Sequence, residues 1–107
     1  MKYKKRYFLL LLKGIKKEGI KDVIFGTINR MEPLLSIRAN VRIHENLTKE
    51  IGGDTLCVIS VKNEWKEEVI FLLSLIGKFY KSNMLTLRNS GNIKKIISEE
   101  NNNASTR

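Results

Sequence analysis

The chain has 107 residues and a formal net charge of +9, from 20 Lys+Arg against 11 Asp+Glu. That length predicts one domain, whose folding removes only about 60–70% of the unfolded chain's accessible surface. One Cys and one His exclude an internal disulfide, a Cys-rich zinc site and a two-histidine metal site. The balance points away from an enzyme and towards a small basic binding protein.

The charge is unevenly placed. Residues 1–31 hold nine Lys/Arg and two acids, residues 32–61 hold three and four, and residues 62–107 hold eight and five. A clustered cationic excess fits a polyanionic partner, of which nucleic acid is the usual one. The cations before residues 7–12 suggest a signal peptide, but that apolar run is six residues long and ends at Lys13. A signal core needs about 7–15 residues and a cleavage site. The apolar run 69–76 is far short of the ~20 residues that span a bilayer. The expectation is a soluble, intracellular protein without a membrane.

Residues 6–12 read as a strand apolar on both faces, hence central and covered on both sides. Residues 14–19 form a Lys-rich turn. Residues 20–31 read as a helix with the stripe Ile20, Val23, Ile24, Thr27, Ile28 and Met31, halted by Pro33. Residues 36–44 alternate, with Ile37, Ala39, Val41 and Ile43 opposite Arg38, Asn40, Arg42 and His44, which predicts a half-exposed strand. Residues 45–54 predict a loop around Gly52-Gly53, and residues 55–61 a second two-faced strand containing Cys57, a buried thiol. Asn63 is placed to cap a helix reaching Ile76, with the stripe Trp65, Val69, Leu72, Leu73 and Ile76, ended by Gly77. Glu64, Glu67 and Glu68 suit that helix's dipole. A strand at 84–88, a turn at 89–92 and a short helix at 93–100 follow. Residues 1–100 make the single domain, and 101–107 a disordered polar tail.

The order β-α-β-β-α-β plus a last helix predicts a ferredoxin-like (RRM-like) α/β sandwich. The first and third strands, the two-faced pair, take the centre. The sheet's second face then needs cover from the last helix or from a partner.

Three features carry function. Lys4, Lys5, Arg6 and Tyr7 bring cations and an aromatic ring into a rigid strand, suited to phosphates and a base. Arg88, Ser90, Gly91, Asn92, Lys94 and Lys95 surround a Gly turn with polar caps and cations. Ile70, Phe71 and Leu75 fall outside the core stripe and predict a protein interface, as does Phe25 on the first helix. His44 reads as a surface-strand residue. The RNA-recognition motif shares this strand order but stacks bases on third-strand aromatics, and residues 55–61 contain none. RNA contact is therefore expected at basic rims and turns.

These segments resemble a known family. Lys4-Lys5-Arg6-Tyr7-Phe8-Leu9 is similar to the start of the Pop-five-type small subunit of ribonuclease P and ribonuclease MRP. Residues 69–76 are similar to its apolar helix. Ser90-Gly91-Asn92-Ile93-Lys94-Lys95-Ile96 resembles its Ser-Gly-Thr-Ile-Lys-Lys segment, with Asn92 in place of the usual Thr. Order and spacing agree over roughly residues 4–97. The resemblance implies an RRM-like sandwich that does no chemistry itself. It braces the catalytic RNA, which uses its own magnesium to remove the 5′ leader of precursor tRNA. The protein itself binds no cofactor or metal. Its partners would be ribonuclease P RNA, with or without MRP RNA, a TIM-barrel-like protein subunit and other subunits of the particle. It would sit in nucleus and nucleolus, or in the cytoplasm of an archaeon. In the MRP form the particle processes ribosomal RNA precursors. The competing reading is a basic protein–protein adaptor that does not touch RNA. A small ferredoxin-like enzyme or ligand sensor draws little support from His44, Cys57 and the acids.

Overall fold

A computed structural model describes residues 4–80, 82–94 and 96. Its sheet is built on β1 (Lys5–Lys13) and β4 (Asp54–Lys62), paired antiparallel from Lys5 opposite Lys62 to Leu12 opposite Thr55. On the other side of β1 lies β5 (Asn83–Ser90), also antiparallel, with a bulge opposite Leu9/Leu10. β2 (Arg42–Ile43) and β3 (Lys49–Ile51) both pair with the free edge of β4. The strand order β2-β4-β1-β5 defines a ferredoxin-like α/β sandwich, with the two-faced strands at its centre.

Helices α1 (Ile20–Met31) and α3 (Lys66–Leu73) cover one face, enclosing Phe8, Leu10, Ile24, Ile28, Ile59 and Leu73. On the opposite face Leu9, Leu56, Val58 and Ile96 form a second buried cluster. The C-terminal segment, helical at Ile93, Lys94 and Ile96, thus supplies cover on that side. The rest of the expected helix, with the tail at 101–107, lies outside the described residues.

Six expectations are corrected. The expected strand at 36–44 is a helical turn, α2 (Leu35–Arg38), followed by the two residues of β2. Period-two reading failed because burial there follows a helical spacing: Leu35 and Ala39 are buried one turn apart, and Ile37 is 74% exposed. Asn40 closes the turn at φ 49°, and the Val41 N–H reaches back to the Ser36 carbonyl at 3.0 Å, a left-handed helix ending. The loop at 45–54 contains β3. Gly52 and Gly53, at φ 57° and 90°, make the two-residue hairpin that returns it into β4.

The helix expected to run to Ile76 is broken. A 3-10 turn at Asn63–Trp65 precedes α3, and a separate turn, α4 (Ile76–Phe79), follows it. Asn63 caps nothing; its side chain accepts from Lys66 Nζ at 3.3 Å. At the break the Ser74 hydroxyl donates to the Phe71 carbonyl, competing with helix continuation. Gly77 sits inside α4, where a Cβ would stand 3.2 Å from the Ser82 carbonyl. Its small size admits the chain entering β5. Finally, β5 extends through Asn89 and Ser90, which were expected in the turn, because β1 offers them partners.

Candidate nucleic-acid interface

The two cationic segments, more than eighty residues apart, lie on neighbouring strands. Ser90 pairs with Tyr7, Asn89 with Phe8 and Arg88 with Leu9. Arg6 Nη2 donates to Asn89 Oδ1, tying the strands together at this end. Lys4, Lys5, Arg88 and Lys94 are exposed. Lys95 lies outside the described residues.

The turn after β5 is built by its own side chains. The Asn92 N–H donates to Ser90 Oγ at 3.0 Å, and the Lys94 N–H donates to Asn92 Oδ1 at 2.9 Å. Asn92 is therefore the cap of the last helical turn, and Ser90 holds the cap in place. Gly91 between them is half-buried. The ion pair formed among the described residues is Lys21–Glu45 at 3.1 Å, remote in sequence from both cationic segments. Glu64 shares a shallow cleft with Lys4, Lys62 and Asn63, and Glu67 shares another with Phe8, Phe71 and Asn89. Acids thus flank the helix side of this end.

Strand parity divides the cations between faces. Lys5, Tyr7 and Leu9 share one face of β1, and register places Lys62, Ser60 and Val58 of β4 beside them. Arg42 of β2 stands opposite Ser60, and Ser90 of β5 opposite Tyr7. The row Arg42–Ser60–Tyr7–Ser90 therefore crosses the whole sheet on the face away from α1 and α3. His44 continues the β2 edge, its N–H donating to the Val58 carbonyl at 2.8 Å. Its ring lies 5.8 Å from the Tyr7 ring at 52°, and Nε2 is 3.0 Å from Ser60 Oγ. Burial, then the charges of Lys5 and Arg42, hold the imidazole below its ordinary pKa.

Arg42, His44, Ser60 and Lys62 were not selected from the sequence. A signal existed: β1 and β4 each turn from apolar to polar at the same end of the same face. Reading it requires the register between them. The test for third-strand aromatics likewise overlooked a ring pair formed between β1 and the β2 edge.

The expected protein-facing residues separate. Phe71 is 64% exposed, whereas Ile70, Leu75 and Phe25 are half-buried and pack against the core. Phe71 lines a groove of about 510 Å³ with Met31, Glu32, Leu34, Leu35, Arg38, Trp65, Glu68 and Leu72. Met31, expected in the core stripe of the first helix but lying at its open end, and Leu34, not selected from the sequence, are exposed there. Among the described residues no group of three or more His, Cys, Asp or Glu is gathered to hold a metal ion, and no helix is long and apolar enough to cross a membrane.

No protein-family model matches this chain, and no curated protein matches it. Two solved structures similar to it are de novo designed proteins. Ferredog-Diesel is 13% identical, with a TM-score of 0.48 over 84% of this chain and 87% of that one. A designed protein called LFR1 1, with ferredoxin fold, is 12% identical, with a TM-score of 0.43 over 78% of this chain and 85% of that one. The fold assignment rests on the strand order and register above.

Proposed function

We propose that this chain is a non-catalytic RNA-binding subunit of ribonuclease P, of the Pop-five type, that braces the catalytic RNA. The observation that supports this most is the pairing of β1 with β5, which joins Arg6 to Asn89 and brings the Lys4–Arg6 segment to the end of the sheet where Ser90 enters the capped turn leading to Lys94. Cations held by a sheet keep fixed spacings, so they match a folded polyanion better than a loose tail does. The chain's part is neutralisation and bracing, with catalysis and its magnesium left to the RNA. Phe71, with Met31 and Leu34 around the groove, fits a protein subunit of the same particle better than Ile70 and Leu75, which the core already uses.

The test is affinity for ribonuclease P RNA as a function of salt. Each neutralised phosphate contributes about −0.7 to −0.9 to the log–log slope. Lys94→Ala with Lys95→Ala should flatten it by one or two such steps. A slope near zero in the wild type, or capture from the native cell of the protein without that RNA, overturns the reading in favour of an adaptor.

A further inference from the structure

We infer that Lys5, Tyr7, Arg42 and His44, backed by Ser60, form a phosphate site on the outer sheet face for the RNA backbone, with His44 taking up a proton as the phosphate binds. The site deepens the RNA-binding reading and rests on it. It lies across β1 from the capped turn and adds residues from β2 and β4.

Geometry comes first. Tyr7 and Ser60 are direct cross-strand partners, and Arg42 is the partner of Ser60 on the other side. The His44 ring packs on Tyr7 and is anchored at Nε2 by Ser60 Oγ. Its backbone is fixed on both sides: its N–H donates to Val58, and its carbonyl accepts from the buried Thr48 hydroxyl at 2.9 Å. Lys5 and Arg42 are exposed, and neither joins an ion pair among the described residues. Two cations, an aromatic face and an imidazole held rigidly in register make a surface suited to one phosphate and an adjoining base.

The cations facing His44 act in the same direction as its burial. β1 contributes Lys5 and Tyr7, β4 contributes Ser60 with Lys62 beyond it, and β2 contributes Arg42. In the turn that follows, Glu45 is engaged by Lys21. Without an anion, the surrounding positive charge and burial keep the ring neutral. A phosphate at Lys5 and Arg42 reverses the local field. The ring then takes a proton from solvent, both ring nitrogens become donors, and Nε2–H donates to Ser60 Oγ. By linkage, a ligand that raises the pKa binds more tightly as pH falls through it.

The chain has one histidine, so its imidazole signals in an NMR pH titration are unambiguous. The probe is a twelve-nucleotide single-stranded oligouridylate with the full-length protein. The His44 pKa should lie below 6.5 in the free protein and move up when the oligonucleotide saturates it. Affinity should rise about fivefold or more from pH 7 to pH 5.5 in the wild type, and stay flat in His44→Gln, which keeps a polar partner for Ser60. Arg42→Ala should move the free pKa up and weaken binding. If the oligonucleotide binds and Arg88→Ala weakens it, but the His44 titration does not move, this site is overturned and the RNA reading survives. If inorganic phosphate at equal phosphate concentration raises the pKa as much, the polynucleotide assignment is overturned. If the wild type binds no RNA between pH 5.5 and pH 7, the functional reading falls and takes this ligand with it.

Discussion

The two ends of the outer sheet face are made by the same strands and the same parity, yet they do opposite things. At one end Leu9, Leu56 and Val58 are roofed by Ile96 and are almost wholly buried. At the other, Lys5, Tyr7, Ser60 and Arg42 continue the same rows into polar and charged side chains. A two-faced strand can thus be apolar and roofed over half its length and carry exposed cations over the rest, Lys5 on β1 and Lys62 on β4, even where Ser60 between them stays buried. The apolar end contributes to stability and the cationic end, under the proposed function, would contribute to recognition, and substitutions should separate the two.

The largest effect should come from the roofed end. Leu9→Ala removes a fully buried side chain and should cost about 3 kcal/mol in a denaturant titration, and Ile96→Ala about 2 kcal/mol or more. Lys94→Ala, two positions away and exposed, should stay within about 0.5 kcal/mol. Equal losses at residues 94 and 96 would break the distinction between roof and rim.

Neutralising the cationic end should do the converse. Lys5→Ala or Arg42→Ala should leave the denaturation midpoint nearly unchanged and, under the proposed function, make the salt slope of RNA binding shallower by about 0.7 to 0.9. Phe71→Asp marks a third region: the side chain is mostly exposed, so the fold should persist while co-purification of the proposed protein partner is lost. Unfolding by that substitution would assign Phe71 to the core.

The smallest effect is in pH. His44 has a lowered folded pKa, so between that value and about 6.5 the unfolded chain holds more protons than the folded one. Stability in the absence of RNA should therefore fall as pH drops through that window. The slope can be no steeper than one proton allows, about 1.4 kcal/mol per pH unit. His44→Gln should remove this part of the pH dependence. A wild-type stability that rises on acidification through the window would contradict the position given to His44.

What could be read from the sequence follows from how local each signal is. Helix α1 carries its stripe and its stop within fourteen residues, with Glu32 pushed out of helical backbone (φ −143°, ψ 89°) before Pro33. The centrality of β1 and β4 was legible because apolar side chains on both faces leave no solvent side. The segment around Ile37 was misread because its few residues satisfy both a period of two and a helical turn; the choice depended on what Leu35 and Ala39 could reach in the core. Asn40 before the apolar Val41 was the local clue to a helix ending.

Composition and periodicity by themselves determined the α/β class, the central pair of strands and the concentration of positive charge near the start of the chain. Only tertiary structure decided that Tyr7 meets His44, that Arg42 stands across Ser60, and that Ile96 closes one half of a face and leaves the other. Strand register is a long-range property: it depends on pairings up to more than eighty residues apart. One residue of slip turns every side chain to the opposite face.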